Sequence, residues 1–275
     1  MKNLIVCGCS FTHGHHLSTD ETWGAFVSKK QNWKFHNIAQ GGHGNEWITQ
    51  RTIAYLENNE ELKKNSTVII GWSGVTRLLE VFQSSPNDQP QTVHVSPNDY
   101  IEGGHGNTDH WDKSLKNYHG YALKHGLILA PMFTSFSFCW VKTYQAIFNL
   151  KNYLELNNIP YIFFDALAEN RLVSIYQLSN SDKHRLEFKT QYGKQNSFID
   201  EIIPAWVLNY LNDKFADKIF DNKFIKFNGN SMDAEMHLKD HDFFTHGNEG
   251  HPNLNACEYF SELIIQEYKK LYNYD

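Results

Sequence analysis

Two short apolar runs, each closing on a glycine, limit how this chain can fold more than anything else in it: Asn3-Leu4-Ile5-Val6-Cys7-Gly8 and Ser66-Thr67-Val68-Ile69-Ile70-Gly71-Trp72. Their apolar residues are consecutive rather than alternating, and many are β-branched. Such runs read as strands buried on both faces, with glycine marking the point where the chain leaves the sheet. Between them, Trp23, Phe26 and Val27 fall at helical spacing. A short strand follows at 34–38, then the glycine turn Gln40-Gly41-Gly42-His43-Gly44-Asn45, then a helix expected over 45–62 with Trp47, Ile48, Ile53 and Leu56 on one face. The order is βαβαβ, which implies a mostly parallel sheet covered by helices on both sides.

The alternation resumes after residue 135. Residues 136–156 return to helical spacing, Asn157-Asn158-Ile159-Pro160 closes that helix, and a strand is expected at 161–164. A last short strand is read at 224–227 and a terminal helix at 254–272. Two stretches, about 83–131 and 166–222, break the period and are expected as insertions, the first of lid type. The predicted architecture is one α/β domain over 1–275, a flavodoxin-like three-layer α/β/α sandwich. Since 41% of the chain is hydrophobic and 20% charged, there is enough apolar material for a large core.

The formal net charge of −6 gives no general electrostatic reason to bind nucleic acid or an anionic membrane. No apolar run approaches the roughly 20 residues of a membrane span, and the first residues lack a signal-peptide pattern. The expectation is a soluble, cytoplasmic protein with a small-molecule partner; oligomeric state is not set by the sequence. Cys7 and Cys9 lie two apart in one strand, poorly placed for a disulfide, so reduced buried thiols are expected, with a Cys9–Cys257 pair as the alternative. Of the fifteen histidines, several cluster in glycine-rich turns. Those at 13–16 and 105–110, with Asp20 and Asp109, permit a metal site in residue type, but no His-Glu-x-x-His or paired Cys-x-x-Cys spacing is present. No glycine turn has phosphate-loop or dinucleotide spacing. Neither metal nor cofactor is expected.

In open parallel sheets, functional loops leave the carboxyl ends of the strands. That selects 8–16, 40–45 and 71–77. Ser10 follows Gly8-Cys9 at the end of the first strand, where a tightly turning backbone would present its hydroxyl and its own N–H to a pocket. A serine after a strand is often only a helix cap, so Ser10 needs company to be read as a nucleophile.

Four blocks provide it. Gly8-Cys9-Ser10-Phe11-Thr12 resembles the first block of the SGNH (GDSL-like) hydrolases, and Asn37-Ile38-Ala39-Gln40-Gly41-Gly42 resembles the second. Gly71-Trp72-Ser73-Gly74 stands where that family has Gly-x-Asn-Asp, and His251-Pro252-Asn253 is similar to its Asp-x-x-His-Pro. The resemblance implies a serine esterase or deacetylase acting on a small acyl ester, an O-acetylated carbohydrate being one candidate. Ser10 is then the nucleophile, His251 its base, and the N–H groups of Ser10 and Gly42 the oxyanion donors. Trp72, Arg77 and His13 are candidate substrate contacts.

Two departures weaken the pattern. Ser73 and Gly74 replace the asparagine and aspartate of the third block, so a shorter hydroxyl stands where an amide donor is expected, with Asn45 as the alternative donor. Asn248 occupies the place of the aspartate before His251, and Glu249 is the nearer carboxylate; either could orient the imidazole, with Asp240 and Asp242 behind them. The rival reading is a catalytically weak or inactive module on the same fold, binding a carbohydrate or another small ligand.

Overall fold

A computed structural model describes residues 1–74, 136–167, 210–239, 243–244 and 250–272, with the backbone of two strands at 78–82 and 91–95. Most of both expected insertions lies outside the described residues.

The central sheet has five strands: β1 (Asn3–Gly8), β2 (Lys34–Asn37), β3 (Ser66–Trp72), β6 (Tyr161–Asp165) and β7 (Phe224–Ile225). They lie in the order β2-β1-β3-β6-β7, and every pairing is parallel. Counting central strands alone, this is 2-1-3-4-5, the flavodoxin-like winding, which reverses direction between the first and third strands. The remaining two strands, β4 (Leu78–Phe82) and β5 (Gln91–Val95), form a separate antiparallel pair.

Period-two alternation divides each strand between two cores. Ile5, Cys7, Val68, Ile70, Tyr161 and Phe163 face one side, where α3 (Asn45–Glu57), α5 (Phe136–Leu156) and the short α6 (Asp217–Ile219) cover them with Ile48, Leu56, Tyr144, Ile147, Leu150 and Ile219. Leu4, Val6, Ile69, Ile162 and Phe164 face the other, under α2 (Trp23–Gln31), α7 (Met232–Leu238) and α8 (Leu254–Tyr272). Three layers result. Each large apolar side chain enclosed this way contributes roughly 1.5–3 kcal/mol.

The helix α8 is tied to the first residues, to α2 and to β6. Lys2 Nζ meets Tyr268 Oη at 2.5 Å, Lys30 pairs with Glu262 at 3.0 Å, and the Tyr272 hydroxyl donates to Tyr161 O at 2.9 Å. Cys7, Cys9 and Cys257 are free and buried, so the disulfide alternative is not formed. Burial pushes the thiols of Cys7 and Cys257 up to about 12.

Boundaries differ from expectation in several places: β2 ends at Asn37 rather than residue 38, β6 runs one residue further to Asp165, and three differences are larger. The helix predicted over 45–62 stops at Glu57, because Asn59 leaves helical backbone angles and its side chain donates back to Tyr55 O at 2.7 Å; a short α4 (Glu60–Lys63) follows. The strand predicted at 224–227 ends at Ile225, and Phe227 instead bridges Asn230 across a tight turn with Asn228 and Gly229 at positive φ. The 8–16 loop contains a one-turn helix, α1 (Ser10–His13). Among the described residues no helix is long and apolar enough to cross a membrane.

Candidate active site

The winding reversal places a crevice beyond the carboxyl ends of β1 and β3. Ser10 and Ser73 each follow by two residues the paired glycines Gly8 and Gly71 at those strand ends.

Those glycines form a side-chain-free floor. Cβ atoms there would lie 2.2 Å and 2.6 Å from Thr12 Oγ1, and one on Gly8 would also lie 2.6 Å from Gly71 O. Only bare backbone lets α1 seat this closely. Ser10 opens α1, with Cys9 extended before it, and is 6% exposed. Cys9 O accepts from Thr12 and His13, and Ser10 O from Gly14 and His15. The N–H of Ser10 precedes the first helical bond and belongs to the amides a helix start leaves unused.

The glycine turn runs against this residue. Gln40 N–H donates to Gly8 O at 3.2 Å, extending the line of β2, and a Cβ on Gly41 would stand 3.8 Å from the Ser10 Cβ. Gly42 has φ +81° with open space around it, and His43 Nδ1 lies 2.7 Å from Gly41 O. Gly41, not singled out by the sequence blocks, thus stands against the serine side chain, with Gly42 beside it.

Asn45 takes a different part from the one expected. Its Oδ1 accepts from Ser73 N–H at 2.8 Å, while Nδ2 donates to Ser73 O at 3.0 Å and to Thr143 Oγ1 at 3.3 Å. Both amide hydrogens are aimed at protein acceptors, so Asn45 is corrected from oxyanion donor to a clamp on the Ser73 backbone. Trp72 is corrected as well: it is fully buried, edge-on to Phe163 at 5.2 Å, and packs in the core rather than facing a ligand.

His251 arrives from the far end of the chain. Gly250 before it has φ +67°, Pro252 after it bridges Phe244, and Asn253 caps α8 by accepting from Ala256 N–H at 3.0 Å. The histidine therefore sits ahead of the helix. Its ring lies 5.5 Å from that of Phe11 and 4.6 Å from that of His15, with His16 at 6.5 Å. Phe11 and His15 are four apart, so α1 and its exit turn bring both rings to His251. That i, i+4 spacing was visible in the sequence but went unread.

His13 is exposed at the end of α1. Arg77, Asn248 and Glu249, with Asp240 and Asp242, lie outside the described residues. Among the described residues no three His, Cys, Asp or Glu side chains are arranged to hold a metal ion.

No family model matches the chain, and no curated protein does. Solved structures do. The psychrotrophic esterase EstA from Pseudoalteromonas sp. is 12% identical, covering all of both chains with a TM-score of 0.48. TesA is 13% identical over 98% of this chain and 99% of its own, with a TM-score of 0.46. The chain is also similar to a G-D-S-L lipolytic protein. That protein, from Desulfitobacterium hafniense, is 12% identical over 97% of this chain and 99% of its own, with a TM-score of 0.42.

Proposed function

We propose that the protein is a serine esterase or deacetylase that cleaves a small acyl ester through an acyl-enzyme. The observation that carries this reading is the double duty of α1. Its first residue is Ser10, and its next residue, with His15 beyond its end, packs against the ring of His251.

In this mechanism Ser10 Oγ attacks the ester carbonyl while His251 takes the hydroxyl proton. The carbonyl oxygen becomes an oxyanion held by the N–H groups of Ser10 and Gly42, with the Ser73 loop closing the other side of the crevice. His251 passes its proton to the departing alcohol as the C–O bond breaks. Water then attacks the acyl-enzyme, again losing its proton to His251, which returns it to Ser10 as the acid leaves. Asn248 or Glu249 is assigned to orient the imidazole. The buried Ser10 side chain favours compact acyl groups, with acetyl as the first to test, and an O-acetylated carbohydrate is the natural substrate class to screen.

A fluorophosphonate probe and p-nitrophenyl acetate test the proposal together. Ser10 is expected to carry the label, and Ser10→Ala to lose both label and turnover. A Ser10→Ala protein with undiminished turnover would sink the mechanism. A second reading, a binding module without turnover, is favoured by one observation: Asn45 is taken up by the Ser73 clamp and leaves the third block without an amide donor. Carbohydrate binding with no labelling of native Ser10 would select it.

A further inference from the structure

Resting on the oxyanion role proposed for the Gly42 N–H, we infer that His43 is the positioning residue that aims this N–H at the reacting carbonyl. His43 Nδ1 lies 2.7 Å from Gly41 O. A carbonyl oxygen can only accept, so Nδ1 carries the hydrogen in this contact, which sets the tautomer. The Gly41 C=O and the Gly42 N–H belong to one planar trans peptide and point in opposite directions. Holding the carbonyl on one side therefore fixes where the N–H points on the other.

The peptide needs such a hold. It joins two glycines, Gly42 is at φ +81°, and no atom of the described residues lies within 4 Å of where a Gly42 Cβ would be. Side-chain packing does not restrict its rotation there, and glycine accepts either sign of φ. His43 is itself fixed: it is buried, and its ring packs on Trp47 at 4.0 Å between centroids. Donation into the carbonyl also polarises the peptide, making the opposite N–H a stronger donor. Because Gly41 is the residue against Ser10, the held peptide is beside the nucleophile.

Two substitutions separate the role from general support. His43→Asn keeps a donor near the place of Nδ1, while His43→Phe keeps the ring against Trp47 and removes the donor. His43→Phe is expected to lower kcat about 10- to 100-fold with KM little changed, less than the about 100- to 1,000-fold cost of losing an oxyanion donor outright. His43→Asn should recover a substantial part. A kcat within about twofold of native in folded His43→Phe, or equal losses in both variants, would overturn the inference. The native protein offers an independent measurement that needs neither variant to fold: long-range ¹⁵N–¹H correlation spectra should show His43 as the Nδ1–H tautomer, and an Nε2–H tautomer would refute the assignment. Turnover that survives Ser10→Ala would instead strike the underlying serine mechanism, so the two failures are distinguishable.

Discussion

Replacing Gly8 by alanine tests the backbone floor beneath the site. The new methyl would stand 2.6 Å from Gly71 O and 2.8 Å from Thr12 Cβ, contacts 0.8 Å and 0.6 Å inside the 3.4 Å where ordinary van der Waals contact begins. The Thr12 hydroxyl, at 2.2 Å, can rotate away; a carbonyl and a Cβ cannot. β3 is held on both sides by β1 and β6, so the part free to yield is α1, which carries Ser10. Overpacking of this kind costs about 1–3 kcal/mol. At a urea m-value of about 3 kcal/mol/M, the upper end lowers the unfolding midpoint by about 1 M. Lifting Ser10 by several tenths of an ångström should cost activity out of proportion to stability, toward the roughly 100-fold associated with a 1 Å misplacement. Gly42→Ala is the contrast: it meets no atom of the described residues within 4 Å and bears the left-handed backbone cost of about 1–2 kcal/mol. Urea titration and p-nitrophenyl acetate kinetics on both variants decide the matter. A Gly8→Ala protein that unfolds at the native midpoint with native kcat would refute the reasoning.

Three further outcomes are expected. Asn45→Ala removes three buried hydrogen bonds and should cost about 3 kcal/mol, read in calorimetry as a Tm lower by about 6–10 °C; an unchanged Tm would deny the clamp. Thr12→Val replaces a buried hydroxyl that has no hydrogen-bond partner among the described residues by an isosteric methyl, so it should leave stability unchanged or raise it by about 1 kcal/mol; a loss of that size would show that the hydroxyl is satisfied. Unfolding releases the Cys7 and Cys257 thiols to ionise near pH 9, whereas burial keeps them neutral up to about 12. The unfolded chain then binds fewer protons between those values, so stability falls as pH rises, by roughly 1.4 kcal/mol per thiol per pH unit. Cys257→Ala should flatten the fall in urea midpoint between pH 9 and 10.5, and an unaltered slope would contradict it.

The sheet was legible because its strands are buried on both faces, and such strands advertise themselves as unbroken β-branched runs; β1 and β3 match their predicted bounds residue for residue. The helices with strong apolar spacing, at 23–31, 136–156 and 254–272, were legible for the same reason of burial. α1 was not, since one turn is too short to show a period. α7 was missed because its sequence, Met-Asp-Ala-Glu-Met-His-Leu, buries Asp233 and Glu235 along with its apolar residues and so lacks a polar face. At the site, chain order pointed to Ser10 and His251. The pairing of Asn45 with Ser73 was hidden because it depends on a side chain meeting backbone 28 positions away, which no local pattern encodes.

The rings that meet at His251 belong to opposite ends of the chain, and so does the packing of α2 against α8. During synthesis, a ribosome that has just added residue 250 has made Ser10, Phe11 and His15 but not the ring they gather around. On the serine mechanism proposed above, a product that stops short of residue 251 lacks its base, and turnover becomes a readout of closure between these two distant segments.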